Sequence, residues 1–166
     1  MKIVMYHYVR PSSSRSPYAF LSLDNFHRQL KHFASVGNLL SKDNFIDKFH
    51  TNSFSEDDFL LTFDDGFMDH YQYVFPTLVD YGATGVFYVP TNVLSDSAVL
   101  DVHLVHHLLA TVPDKVLVEA SKDLISPEML SDVGREEFKN DTYVRQVNSI
   151  QTSSFKRLVN YYISPE

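Results

Sequence analysis

The chain has 166 residues, 44% of them hydrophobic, and 14 basic against 21 acidic side chains give a net charge of −7. That length and apolar content suffice for a packed domain, whereas the acidic balance leaves no Lys/Arg surface to release counterions from phosphates, which argues against nucleic acid or an anionic membrane as partner. With no cysteine, disulfides and thiolate metal sites are excluded, and any metal must rest on His, Asp or Glu.

The first element in chain order is "KIVMYHYV", Lys2 to Val9, a short apolar run that predicts a buried strand ending at Arg10-Pro11. One basic residue and an apolar run broken by His7 do not make a signal peptide, and no stretch approaches the roughly 20 apolar residues of a membrane span, so a cytoplasmic protein is the expectation. After the loop "PSSSRSP", Phe26, Leu30 and Phe33 recur at helical spacing, with Ser22 as N-cap and Gly37 as the stop. "SKDNFIDKFH" predicts a shorter helix with Phe45, Ile46 and Phe49 on one side. "DFLLTF", Asp58 to Phe63, is the second strand. Tyr71, Val74, Phe75, Leu78 and Val79 then form a helical stripe ending at Gly82, which Pro76 should kink or divide. "ATGVFYVP", Ala83 to Pro90, is the third strand. Strands alternating with helices predict βαβ units and a parallel sheet.

The character changes after about Thr91. "VLDVHLVHHLLATV" predicts an amphipathic helix, and from Pro127 onward the chain reads as short, polar, helical pieces. Leu117 to Ala120 is the one other candidate strand. Three or four strands are few for a closed α/β fold, so the chain reads as the front part of something larger.

"TFDDG" sets two aspartates, Asp64 and Asp65, at the end of the second strand. Reactive groups of parallel α/β folds collect at the carboxyl ends of their strands. Neighbouring carboxylates in a half-buried site need a cation, or one raised pKa, to coexist, and Gly66 permits a sharp turn and close approach of a ligand. The competing reading is plainer: Asp65-Gly66 as a turn dipeptide and Asp64 as a solvated cap.

The pattern "TFDDGF.D.Y...FP.L..YG..G.FYVPT" over residues 62 to 91 resembles the first motif of the polysaccharide deacetylases (the NodB-homology group, carbohydrate esterase family 4), together with its following helix and strand. "MYHYV" at residues 5 to 9 is similar to the first strand of many members. The resemblance covers residues 1 to about 92. It implies a partial or distorted (β/α) barrel with parallel strands, one deacetylase-like domain over 1–166 with a core at 1–92 and a mostly helical extension at 93–166. It further implies a metal-dependent amidase that removes N-acetyl groups from a carbohydrate. Carried over by position, Asp64 matches the general base and Asp65 the ligand of a divalent ion, usually zinc, whose bound water Asp64 deprotonates.

The family's site also uses a His-Ser/Thr-x-x-His motif and a later histidine as general acid, and neither pattern is present. His103 and His107 have the spacing to share a helix face and chelate one ion, but Leu follows His103, and Leu100, Leu104, His107 and Leu108 share a stripe, so a helix-surface role competes. The alternative is a histidine motif beyond Glu166. His7, at a strand end, either points into the site mouth, to contact substrate or Asp64, or is a buried histidine bonded to a backbone carbonyl. Tyr88 and Thr91 could line the same mouth. Asn140-Asp141-Thr142 is a glycosylation sequon by pattern only. Two functions follow: a deacetylase-type hydrolase, or an inactive deacetylase-like domain that binds carbohydrate or a partner.

Overall fold

The structure, a computed structural model, describes residues 1–14, 16, 19–95, 99–126, 129 and 148–163. The chain divides into two compact units, Met1–Ser97 and Ala98–Glu166. The first runs β1 (Lys2–Tyr6), β2 (Val9–Arg10), β3 (Leu21–Ser22), α1 (Leu23–Val36), β4 (Asn38–Leu39), α2 (Lys42–Thr51), β5 (Asp58–Phe63), a π-turn (His70–Val74), α3 (Phe75–Asp80), β6 (Gly85–Phe87) and α4 (Asn92–Ser95).

Strand β5 is the hub of a four-stranded sheet. It pairs with β1 along one edge, from Lys2 opposite Phe59 to Tyr6 opposite Phe63. On the other edge β4 lies beside its first residues (Leu39 opposite Phe59) and β6 beside its last (Phe63 opposite Phe87). Every pairing is parallel, as the alternation of strands and helices predicts. All six residues of β5 are buried, which accounts for its continuous apolar run.

One face of this sheet carries the core. Tyr6, Leu61 and Phe63 pack there against Phe26 and Leu30 of α1, Val74 of the π-turn and Leu78 of α3. The Tyr6 ring stacks on Phe63 at 5.3 Å and meets the edge of Phe26 at 5.2 Å. Its hydroxyl donates to Gln29 Oε1 at 2.8 Å, and burial pushes the phenol up to about 12. Each of these large apolar side chains contributes on the order of 2 kcal/mol by leaving water.

Helix α1 follows its predicted pattern: the Ser22 hydroxyl accepts from Asn25 N at 3.2 Å, and Phe26 and Leu30 are fully buried. It stops at Gly37, where a Cβ would lie 2.3 Å from the Asp57 carbonyl oxygen, so no larger residue fits beside β5. The stripe Tyr71–Val79 is divided as expected, with a π-turn giving way to α3 at Phe75 and Pro76 in the first turn of α3. Thr77 Oγ1 donates to the Tyr73 carbonyl at 2.8 Å across that junction.

Several expectations for the first unit need correction. The predicted strand Lys2–Val9 breaks at His7, and Val9–Arg10 pairs instead with Leu21–Ser22. Nor is β1 buried on both faces: Ile3 and Met5 are 60% and 61% exposed, because only the Val4 and Tyr6 face meets the core. On α2, Ile46 and Phe49 are exposed and only Phe45 is half-buried, its ring meeting Phe54 at 5.9 Å, so the apolar spacing marks no buried face.

The second unit is helical among the described residues: α5 (Asp101–Thr111), α6 (Asp114–Leu124), α7 (Ile150–Arg157) and a closing π-turn (Leu158–Tyr162). Val105, Leu117 and Phe155 form its core, flanked by Leu109, Val112 and Val159. The candidate strand Leu117–Ala120 is part of α6: Leu117 and Ser121, four apart, make its buried face. In α5 the buried residue is Val105, and Leu104 and Leu108 of the expected stripe stay exposed, so the packed face is rotated from the predicted one. The sequon Asn140-Asp141-Thr142 lies outside the described residues. No helix among the described residues is long and apolar enough to cross a membrane.

Candidate functional site

The ladder of β5 ends in a way that fixes its two aspartates. Asp64 N donates to the Tyr6 carbonyl at 3.0 Å, and Tyr88 N donates to the Phe63 carbonyl at 2.8 Å, so the backbone entering the turn is held from both neighbouring strands. The chain then reverses through two residues with positive φ, Asp65 at 74° and Gly66 at 63°. For a residue with a side chain the left-handed region costs roughly 1–2 kcal/mol, and Asp is among the few that tolerate it. Gly66 avoids that cost, and a Cβ there would also press on Val89 Cγ1 at 3.0 Å.

This turn presents both carboxylates to one cavity of about 650 Å³, lined by Ile3, Met5, Leu60, Thr62, Asp64, Asp65 and Tyr88–Pro90. Leu60 and Thr62 belong to the face of β5 opposite the core, and Ile3 and Met5 are their register partners on β1. The cavity therefore has an apolar floor and a carboxylate rim. Tyr88 lines it as expected; Thr91 does not.

His7 sits in the bend after β1, with Nε2 3.9 Å from Asp64 Oδ2 and 3.9 Å from Asp65 Oδ2. Its side chain is 40% exposed, against 26% for Asp64 and 19% for Asp65. A separation of 3.9 Å is too long for a direct hydrogen bond and short enough for one shared water to bridge. The His7 imidazole is itself partly exposed beside the two carboxylates. The buried histidine bonded to a backbone carbonyl is a different residue, His70, whose Nε2 lies 2.6 Å from the His7 carbonyl oxygen.

Three further residues of this region were given no role from the sequence, although Asp69 falls on a matched position of the pattern over residues 62 to 91. His70 is 3% exposed and enclosed by the rings of Phe63, Phe67 and Phe87. Burial holds its pKa below the usual histidine value, against the opposing pull of the bond to His7 and of the Asp69 and Asp65 charges. Arg10 and Asp69 form the other tether, with Arg10 Nη2 donating to Asp69 Oδ2 at 2.5 Å and tying β2 to the start of the π-turn. Asp69 and His70 fall just past the turn, where a polar pair looks the same whether it is solvated or engaged.

The fit of a divalent ion can be judged from the donors. Zinc ligands at about 2.1 Å in a tetrahedron lie roughly 3.4 Å from one another. The separations of His7 from the two carboxylates are wider, and no group of three His, Asp or Glu side chains among the described residues is placed to hold a metal. The side chains as arranged thus do not make a complete metal site. His103 and His107 lie on α5 in the second unit, His103 half-buried and His107 exposed, and neither joins such a group.

No family model matches the chain, and no curated protein matches it. Among solved structures it is similar to a de-N-acetylase from Aggregatibacter actinomycetemcomitans, with 21% identity and a TM-score of 0.46 over 56% of this chain and 38% of that one. It is also similar to the Streptococcus pyogenes deacetylase PplD in complex with acetate, with 21% identity and a TM-score of 0.44 over 96% of this chain and 80% of that one. The chain thus spans 38% of the length of the first of these proteins.

Proposed function

We propose that the turn bearing Asp64 and Asp65 is the base-bearing part of a hydrolase site that removes N-acetyl groups from a carbohydrate, on a framework of the (β/α)-barrel type. The observation that carries this reading is a pair of adjacent carboxylates, one of them in the left-handed region, on the rim of a single cavity at the carboxyl end of the central strand, with one imidazole 3.9 Å from both. Backbone strain of this kind is held where a site needs it.

In this reading Asp64, its backbone fixed from both sides, is the general base. It takes a proton from a water while the water oxygen bonds to the acetamide carbonyl carbon. As the tetrahedral adduct collapses, Asp64 passes that proton to the sugar nitrogen, the C–N bond breaks, and the amine and acetic acid leave, exchanging a proton to become ammonium and acetate. His7 stands where it can hold that water against Asp64. Asp65 is proposed as ligand of a divalent ion, zinc in the first instance, and proton transfer to Asp64 does not depend on that assignment.

A second reading has its own observation. Among the described residues no group of three His, Asp or Glu side chains is spaced to hold a metal as it stands, and an inactive deacetylase-like domain that binds carbohydrate or a partner without turnover accommodates that spacing. Acetate release from a panel of N-acetylated hexosamine oligomers, with zinc added, separates the two. The hydrolase reading expects release that Asp64→Asn removes. Absence of release, together with absence of calorimetric zinc uptake sensitive to Asp65→Asn, sinks it in favour of the inactive domain.

A further inference from the structure

Between β1 and β2 the chain makes three consecutive carbonyl contacts, each with a different element. The Tyr6 carbonyl accepts from Asp64 N at 3.0 Å, and the Tyr8 carbonyl accepts from Leu21 N at 2.9 Å. Between them, the His7 carbonyl faces His70 Nε2 at 2.6 Å. Only the middle tether is made by a side chain, and it fixes the residue whose imidazole stands 3.9 Å from both carboxylates.

A carbonyl oxygen accepts only, so at this distance Nε2 must carry the hydrogen. The neutral ring then has its lone pair on Nδ1, and Nδ1 is buried with no hydrogen-bond partner among the described residues. A second proton on Nδ1 would have no acceptor there, so the surroundings select one tautomer of the neutral ring. Phe63, Phe67 and Phe87 hold the ring plane, with centroids 5.5, 5.6 and 6.1 Å away. Nothing in the hydrolytic step uses His70, yet it is almost wholly buried within the segment that follows the Asp65–Gly66 turn.

We propose that His70 is the positioning residue of the site: its Nε2–H grips the His7 carbonyl and thereby aims the His7 imidazole between Asp64 and Asp65. The part of this inference that concerns catalysis rests on the hydrolase reading, whereas the geometric part does not. The test therefore has two arms.

The first arm uses the full chain with ¹⁵N-labelled histidine. Long-range ¹H–¹⁵N correlations should show His70 as the Nε2–H tautomer with a slowly exchanging proton; an Nδ1–H signature overturns the proposal. In His70→Asn, whose short amide falls away from the carbonyl, the His7 ring resonances should move. In His70→Gln, whose amide nitrogen reaches about as far as Nε2, they should stay near their wild-type positions. Unmoved His7 signals in folded His70→Asn overturn the proposal, and so do equal shifts in both variants. Should His70→Asn fail to fold, His70→Phe replaces it under the same criteria, and the wild-type tautomer decides the matter if neither variant folds.

The second arm reads turnover. Loss of kcat by roughly 10- to 100-fold in His70→Asn, with KM little changed and rescue by His70→Gln, is the expected result for a residue acting through another. Loss of KM alone, or no rescue, overturns the catalytic part. If no turnover is found even in wild type, the hydrolase reading falls while the first arm still decides the geometry.

Discussion

At the amino end of β5, Asp58 is wholly buried and takes Lys48 Nζ at 2.7 Å on each oxygen, with further bonds from Ser55 N at 2.7 Å and Asn38 Nδ2 at 3.2 Å. At the carboxyl end of the same strand, Asp64 and Asp65 stay partly exposed, and His7 stands off at 3.9 Å from each. The Lys48 bonds, then the Ser55 amide, hold Asp58 down to about 2 against the desolvation that opposes them. One strand thus uses the same residue type in two ways. A carboxylate whose lone pairs are all taken can only hold structure, and one that stays partly exposed beside a cavity can meet a water or a substrate.

The largest expected effect breaks the structural end. Asp58→Ala leaves Lys48 uncompensated and should destabilise the first unit by roughly 3 kcal/mol, the lower end for a buried pair because Lys48 keeps some exposure; urea denaturation measures it. A loss under 1 kcal/mol would mean the two ends are not different in kind.

The next sharpens the chemical end. Asp64→Asn should lower deacetylation about 10²- to 10⁴-fold, the range for removing a general base, while its stability stays within about 0.5 kcal/mol of wild type. A large stability loss in Asp64→Asn would erase the contrast with Asp58.

A smaller effect concerns the turn between them and the cavity. Gly66→Ala forces a side chain into φ 63° against Val89 and should cost about 1–2 kcal/mol. Asp65→Gly should gain up to about 1 kcal/mol by relieving its own left-handed backbone, at the expense of any metal uptake. Equilibrium denaturation and zinc calorimetry on the two variants check this pair.

The smallest effects appear with pH. Asp58 has a folded-state value of about 2 against an ordinary 3.8, so the folded chain binds fewer protons. Its contribution is complete above that ordinary value and is lost as pH falls from about 4 towards 2. His70 is also lowered, from 6.5, so stability should decline as pH drops below 6.5, where the unfolded chain takes a proton the folded one refuses. Wild type and His70→Gln, compared by thermal melts between pH 7 and 5, isolate that second slope.

How much of this was legible in the sequence depends on the range over which each signal is written. Ser22, Phe26 and Leu30 declare α1 because a cap and a 3.6-residue period are local. Asp58–Phe63 declares β5 because a strand buried on both faces has no polar alternation. The two-residue strands β3 and β4 hold no period at all. Leu117–Ala120 reads as strand or helix alike over four residues, and packing of Leu117 in the core with Phe155 decides it. The carboxylate pair stood out through the longer pattern over residues 62 to 91, since Asp-Asp-Gly alone reads as well as a plain turn. His70 did not, since its partner is a backbone carbonyl 63 positions away and a carbonyl leaves no trace in sequence.

The three consecutive carbonyls of Tyr6, His7 and Tyr8, claimed by Asp64, His70 and Leu21, set a rule for how this segment tolerates change in length. Exchanging one side chain there costs that side chain's own packing and bonds, but adding or deleting a single residue shifts the phase of all three acceptors together. In a library of one-residue insertions and deletions, the junction between β1 and β2 would therefore be intolerant out of proportion to the modest sequence constraint on its side chains.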